Sequence, residues 1–222
     1  MPAQVTHTVA WLRLSAVNGI VSNMKFENQT AYYKEQPPTC VAEFQSQSAW
    51  LDNIEFDGHG FSGSYPDGLI ANPNVVFAIK CNCGGNLHSI IAESHQEEIW
   101  HYKHLVMAER YFLECHSCQS RHLFFDKFLH GYNAEGFKIE GVRLSEIVET
   151  NQSSRQHEKI TCKCSNCKNT TVEVFARFEY PPDLFDEPLF EGKEREFFSW
   201  FTGIGKCSTC STVNLFIDYE CA

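Results

Sequence analysis

The apolar positions of this chain fall mostly into short runs, with few of the long, evenly spaced stripes that mark helices. Val75-Val-Phe-Ala-Ile79, Leu87 to Ala92, Tyr111-Phe-Leu113, Leu123 to Phe128, Val172 to Phe178 and Val213 to Tyr219 are each rich in β-branched or aromatic residues. Such runs fit a pleated, partly buried surface and predict strands. From Ala31 onward two further runs read the same way, Cys40 to Phe44 and Trp50 to Phe56, and Phe137 to Glu140 alternates like a strand. Helical spacing is rarer. Val5, Val9, Leu12, Ala16 and Ile20 suit a helix closed by Asn18-Gly19, although Val5 to Leu14 reads almost as well as a strand. Between Ser94 and Arg110 the pattern supports two readings. Ser94 with Glu97 makes a capping box ahead of Ile99, Tyr102 and Val106 on one helical face; a long hairpin is the competitor. The fold class expected is β-rich, all-β or α+β.

Turn chemistry divides the chain. Asp57 to Gly68 is dense in Gly, Ser, Asp and Pro and predicts loops, and Asn72-Pro73-Asn74 marks a boundary. Leu144 to Val148 suits a short helical turn, and Asn151 to His157 is polar throughout. The organisation expected is an N-terminal region over 1–74, a first unit over 75–131, a connector over 132–158 and a second unit over 159–222.

Cysteine spacing supplies the chemistry. Cys207-Ser-Thr-Cys210 is followed, after four residues, by Leu215-Phe-Ile-Asp218, and Cys115-His-Ser-Cys118 is followed at the same offsets by Leu123-Phe-Phe-Asp126. Upstream of each lies a second cluster, Cys81-Asn-Cys83 and Cys162-Lys-Cys164-Ser-Asn-Cys167. A pair of cysteines at a tight bend presents both sulfurs to one side, and two bends face to face supply four thiolates at tetrahedral corners. Gly84-Gly85 permits the positive φ that such a bend uses. In the second unit Cys164 and Cys167 have the better spacing, while Cys162 and Cys164 copy the Cys-x-Cys of the first. The ligand set expected is therefore Cys81, Cys83, Cys115 and Cys118 for one metal and Cys164, Cys167, Cys207 and Cys210 for another, with Cys162 a neighbour. Cys40 and Cys221 stand alone.

With strands flanking each bend, this arrangement resembles the zinc-ribbon superfamily, here as two tandem, apparently duplicated ribbons with long insertions between their knuckles. The resemblance implies two structural Zn2+ ions; iron–sulfur is the chemical alternative for four thiolates. It implies no particular activity, because ribbons serve many functions. Cys81-x-Cys83 departs from it, being one residue tighter than the usual knuckle. Redox work by Cys-x2-Cys needs a helix after the first cysteine, and strands follow here.

Composition narrows the function. The chain of 222 residues has a net charge of −10, and no segment of it is basic. That counts against a phosphate-gripping ribbon, although Lys103, Arg110, Arg121 and Lys127 could form a local patch. No apolar run of eighteen residues or more occurs. Met1 to His7 lacks the basic and apolar regions of a secretory signal, so the expected location is cytoplasmic, where eleven cysteines read as ligands before disulfides. No phosphate loop, nucleophile elbow or HExxH is present. His101-x2-His104, with His88 or His95 nearby, lacks a carboxylate partner at a metal-site spacing. The function expected is that of a non-enzymatic, zinc-stabilised scaffold or adaptor that binds another protein; the alternative is a nucleic-acid-associated ribbon protein using the local patch. Within Tyr180 to Gly205, acids at Asp183, Asp186, Glu187, Glu191, Glu194 and Glu196 interleave with Phe185, Leu189 and Phe190, a composition suited to docking on a protein. Phe197, Phe198, Trp200 and Phe201 at its end suit either core cover or an interface.

Overall fold

The structure is a computed structural model that describes residues 31–49, 74–94, 99–102, 105–130, 158–180, 186, 191–192, 194–196 and 198–220. The expectations for Val5 to Ile20, Trp50 to Gly68 and 137–157 fall outside those residues. Among the described residues eleven strands follow in chain order: β1 (Gln45–Ser48), β2 (Asn74–Lys80), β3 (Leu87–Ser94), β4 (Trp100–Tyr102), β5 (Leu105–Met107), β6 (Arg110–Cys115), β7 (Arg121–Asp126), β8 (Glu158–Thr161), β9 (Val172–Glu179), β10 (Trp200–Cys207) and β11 (Val213–Glu220). The protein is β-rich, as its apolar runs dictate. Nine of these strands form one antiparallel sheet, and β4 and β5 pair as a separate hairpin.

Alternation fixes which face is buried. Val75, Phe77 and Ile79 of β2 point inward, as do Val172, Val174, Ala176 and Phe178 of β9 and Tyr111, Leu113 and Cys115 of β6. All of these but Cys115 join Phe124, Phe125 and Phe201 in a shared core. Phe125 of β7 stacks on Phe201 of β10 with ring centroids 4.3 Å apart, and Phe198 meets Phe178 edge-on at 5.0 Å. Phe198 and Phe201 therefore serve as core. Trp200 is half-buried and its indole N–H donates to Asp218 Oδ1 at 2.5 Å.

The sheet has a local two-fold order. β2 continues through the first cysteine bend into β3, and β8 continues through its bend into β9. β2 pairs with β9, β3 pairs with β8, and β3 meets β9 at Leu87↔Glu173 and His88↔Val172. His88 pairs with Cys115 and Val172 pairs with Cys207, so exchanging the two segments returns the His88–Val172 pair to itself. The outer ladders correspond as well. β6–β7 breaks register between Tyr111 and Phe112, and β10–β11 does so between Gly203 and Ile204, the same distance ahead of Cys115 and Cys207. Leu123 and Leu215 pair with Phe112 and Ile204 just beyond these breaks. Leu215 is buried and Leu123 half-buried.

Three local expectations are corrected. Residues 31–35 are helical, and Cys40 to Phe44 is a 3-10 turn (Thr39–Val41) followed by a tight bend. Pro37-Pro38 lead into that turn, where Val41 and Ala42 donate back to Pro38 and Thr39, burying Cys40, Val41 and Phe44 on one side. The helical reading of 94–110 gives way to the hairpin. β3 runs through Ser94, whose Oγ accepts from the Glu109 N–H at 3.1 Å, closing the hairpin base instead of capping a helix. The strand expected to reach Phe128 stops at Asp126, where the carboxylate accepts from the Leu129 N–H and starts a helical turn, Lys127–His130.

The Tyr180 to Gly205 insertion is anchored to the N-terminal segment at its first residue and again at Glu194 and Arg195. Tyr33 stacks on Tyr180 at 3.3 Å and donates to the Glu194 carbonyl, and Arg195 Nε donates to the Pro37 carbonyl at 2.9 Å.

Candidate metal centres

Four cysteine bends share one construction. The residue after the second cysteine of each has positive φ: Gly84 (88°), Gln119 (62°), Lys168 (64°) and Ser211 (58°). Its N–H returns to the carbonyl of the first cysteine, at 2.8 Å for Gly84 and Gln119 and 3.0 Å for Lys168 and Ser211. The N–H of each first cysteine then donates to the next residue along, Gly85, Ser120, Asn169 or Thr212. Left-handed backbone turns the chain sharply enough to leave both sulfurs on the inside of the bend. Cys81-x-Cys83 achieves this with one residue fewer, and its shortness draws the backbone close. A Cβ on Gly85 would lie 2.9 Å from Cys115 Sγ and 2.6 Å from Ser117 Oγ.

The ladder brings the bends together in pairs. His116 N–H donates to the Leu87 carbonyl and Ser208 N–H to the Thr171 carbonyl, which seats each second bend against the exit of the first. Cys81 Sγ then lies 3.6 Å from Cys118 Sγ and Cys83 Sγ 3.6 Å from Cys115 Sγ. In the other cluster Cys164 Sγ lies 3.6 Å from Cys210 Sγ and Cys167 Sγ 3.4 Å from Cys207 Sγ. All four sulfurs of each cluster lie within 4.8 Å of one another. Tetrahedral zinc with Zn–S of ~2.3 Å needs sulfurs about 3.8 Å apart, so both clusters fit the ion closely, while a disulfide needs about 2.05 Å. Each cluster could hold a metal ion through four thiolates.

The electrostatics favour a cation. Cys118 and Cys210 are drawn down to about 6, first by the hydroxyl of Ser120 or Thr212 and then by that residue's N–H. Cys83 and Cys167 receive an N–H from Gly85 or Asn169, yet the neighbouring sulfurs hold their protons and push them up to about 12. Four crowded sulfurs cannot all ionise unaided, and a dication removes that conflict. The first cysteine of each bend is buried, while Cys83, Cys118 and Cys167 are exposed and Cys210 is half-buried.

The sequence candidates separate cleanly here. Cys162 lies outside both sulfur clusters, buried with its N–H on the Ile90 carbonyl, and burial pushes its thiol up to about 12. Cys40 is buried in the N-terminal turn, and Cys221 lies outside the described residues. His101 belongs to strand β4 and not to a helix; His95 and His104 lie outside the described residues. Arg110 pairs with Asp126 at 2.8 Å and Arg121 with Glu93 at 2.6 Å, while Lys103 lies outside the described residues.

Sequence reasoning missed the groups that support the sulfurs. Asn214, fully buried, donates from Nδ2 toward Cys164 Sγ at 3.6 Å, and Asn169 Nδ2 reaches Cys207 Sγ at 3.8 Å. Ser120 and Thr212 sit two residues past Cys118 and Cys210, a spacing that marks both in the sequence. Nothing local signals Asn214. No helix among the described residues is long and apolar enough to cross a membrane. No family model, no curated protein and no solved structure matches this chain.

Proposed function

We propose that this chain is a non-enzymatic scaffold or adaptor built from two duplicated zinc ribbons, each closed by one structural Zn2+, that works in the cytoplasm by binding another protein. The observation that carries this reading is the pair of closed four-sulfur clusters, in which no ligand position remains for a substrate. The matching ladders and breaks of register support duplication. Bound zinc stabilises such a fold by on the order of 10 kcal/mol per site. The protein supplies the sulfurs, holds them with backbone and hydroxyl donors, and keeps the inner pair of each cluster dry.

The contact surface we assign is the acidic and aromatic segment 183–191, whose Asp186 and Glu191 are exposed. Glu194 and Arg195 are committed to the N-terminal segment and lie outside that surface. Acids steer a partner with a basic rim, and aromatics anchor it. The alternative, a nucleic-acid-associated ribbon protein, would use Arg110 and Arg121, which pair with Asp126 and Glu93.

Elemental analysis of protein purified without added metal should give two zinc equivalents. Affinity capture followed by mass spectrometry should recover a protein partner that is lost when residues 183–191 are deleted, with both zinc ions retained. One equivalent, an iron chromophore, or a salt-sensitive shift of DNA or RNA with no protein captured would refute the reading.

A further inference from the structure

We infer that the two metal centres differ in permanence: the Cys164, Cys167, Cys207 and Cys210 centre keeps its ion, whereas the Cys81, Cys83, Cys115 and Cys118 centre exchanges its ion with thiolate or chelating competitors. This rests on the reading that both clusters hold zinc, and it concerns what their surroundings do to that ion.

The local two-fold order makes the comparison residue by residue. Asn169 occupies in the second centre the place of Gly85 in the first, since each accepts the N–H of the leading cysteine. Asn214 corresponds to His122, because each lies four residues beyond the second cysteine of its Cys-x2-Cys bend, on the outgoing strand. In the second centre both places carry an amide that reaches a sulfur. Asn214 Nδ2 lies 3.6 Å from Cys164 Sγ, and its Oδ1 accepts from the Ser165 N–H and Oγ at 2.8 Å each. One buried side chain thus clamps the first bend to strand β11. Asn169 Nδ2 reaches Cys207 Sγ at 3.8 Å, Ser208 Oγ at 3.1 Å and Thr209 Oγ1 at 2.9 Å, clamping the second bend to the exit of the first.

The first centre has neither clamp. Gly85 has no side chain, and the tight Cys-x-Cys leaves no room for one. His122 turns to Ser120 Oγ at 3.0 Å and meets the edge of Phe44, so it reaches Cys118 only through that hydroxyl. Its first bend meets one side-chain hydroxyl, Ser120 Oγ at 3.4 Å from Cys81 Sγ, which is shared with Cys118 and His122; otherwise it is held from outside by exposed bonds, Asn82 Nδ2 to the Glu43 carbonyl and Gln45 Nε2 to the Asn82 carbonyl. Both of its outer cysteines, Cys83 and Cys118, are exposed, against one in the second centre.

Exchange requires a competitor to reach the ion while one thiolate swings away. Amide donors that hold a sulfur in place and share its charge oppose both events, and loss of such supporting groups typically weakens a metal site by roughly 10- to 100-fold. In the exchange the zinc keeps its charge, and the competitor's donors replace the four sulfurs. All four zinc–sulfur bonds break as bonds to the competitor's donors form, and the freed thiolates take up protons from the buffered water as the ion leaves.

The test uses the full chain as purified with zinc. Zinc loss to excess ethylenediaminetetraacetate is followed by native mass spectrometry, and iodoacetamide labels the thiols freed at each stage for peptide mapping. We expect two separated steps, with the one-zinc species labelled at Cys81, Cys83, Cys115 and Cys118 and protected at the other four ligands. The double variant Asn169→Gly/Asn214→His, which gives the second centre the residues of the first, should accelerate the second step by roughly 10- to 100-fold. First labelling at Cys164, Cys167, Cys207 and Cys210, loss of both ions together, or an unchanged second step in a folded double variant would overturn the inference. If the double variant does not fold, the labelling order of the unaltered chain decides alone. Protein purified without zinc would instead refute the reading of both clusters as zinc sites.

Discussion

His88 sits where the two segments of the sheet exchange, opposite Val172, which holds the corresponding place in the ladder. The residue is 1% exposed, and its ring nitrogens make no well-formed hydrogen bond among the described residues, the Asn86 backbone being only a weak partner. Burial drives its pKa down to about 4. The unfolded chain therefore binds a proton near pH 6.5 that the folded chain refuses until about pH 4. Its contribution to stability is fully present above 6.5 and falls as pH drops through that window, because the unfolded state holds more protons there. Between pH 7.5 and 5.5 this linkage removes about 1.4 kcal/mol. His88→Val installs the residue already present at the matching position. It removes a buried polar group that costs about 1–3 kcal/mol unpaired, and it leaves a small volume deficit worth roughly 1 kcal/mol in the other direction. The net effect at pH 7.5 is near zero to modestly stabilising, and neither term depends on pH. The decisive quantity is the difference between variant and parent, measured by urea unfolding of the zinc-loaded proteins at pH 7.5, 6.5 and 5.5. Acid weakens the cysteine clusters equally in both, so that contribution cancels. The difference should widen toward acid by about 1.4 kcal/mol in favour of the variant. A constant difference would show that His88 is protonated or hydrogen-bonded in the folded protein, and the argument would fail.

Cys167→Ser should reduce bound zinc from two equivalents to one, whereas Cys162→Ser should keep both and lower stability by about 1–2 kcal/mol for a hydroxyl in an apolar site; elemental analysis and a thermal melt separate the two. Gly85→Ala should displace Cys115 Sγ and cost the first centre its ion, while Asn169→Ala at the corresponding place should leave stoichiometry at two under metal-free buffer. Gly84→Ala, at φ 88°, should destabilise the folded chain by about 1 kcal/mol in urea unfolding without loss of zinc.

Much of this architecture is legible along the chain. Strands with clear alternation, β2 and β9 above all, are readable because each buries one face. β10 is not, since Gly203 and Gly205 weaken any strand reading. The structure supplies their reason: a Cβ at Gly205 would lie 2.5 Å from the Phe216 ring and one at Gly203 would lie 2.7 Å from Ile217. The partner strand, not the strand itself, dictates those residues. The 94–110 segment misleads for a similar reason. Ser94 carries a helix-start signal locally, but its hydroxyl is claimed by Glu109, fifteen residues away.

The centres show the same division between local and distant causes. The eight clustered cysteines follow from spacing, because a bend that presents two sulfurs is a local device repeated four times. What spacing conceals is how the bends are carried. An ordinary reading of two tandem ribbons has each unit pairing within itself, yet β2 pairs with β9 and β8 with β3, so each half supplies the sheet neighbour of the other. Neither half can complete its inner edge alone. Zinc binding by one half should therefore depend on the presence of the other, although all four ligands of each centre lie within a single half. Residues 75–131 and 159–222 expressed separately should bind zinc weakly and should recover both ions when mixed, a result that calorimetric titration of the two fragments reads directly. Full and independent zinc affinity in each isolated fragment would show that the sulfur clusters organise the fold by themselves and that the exchanged pairing follows from them.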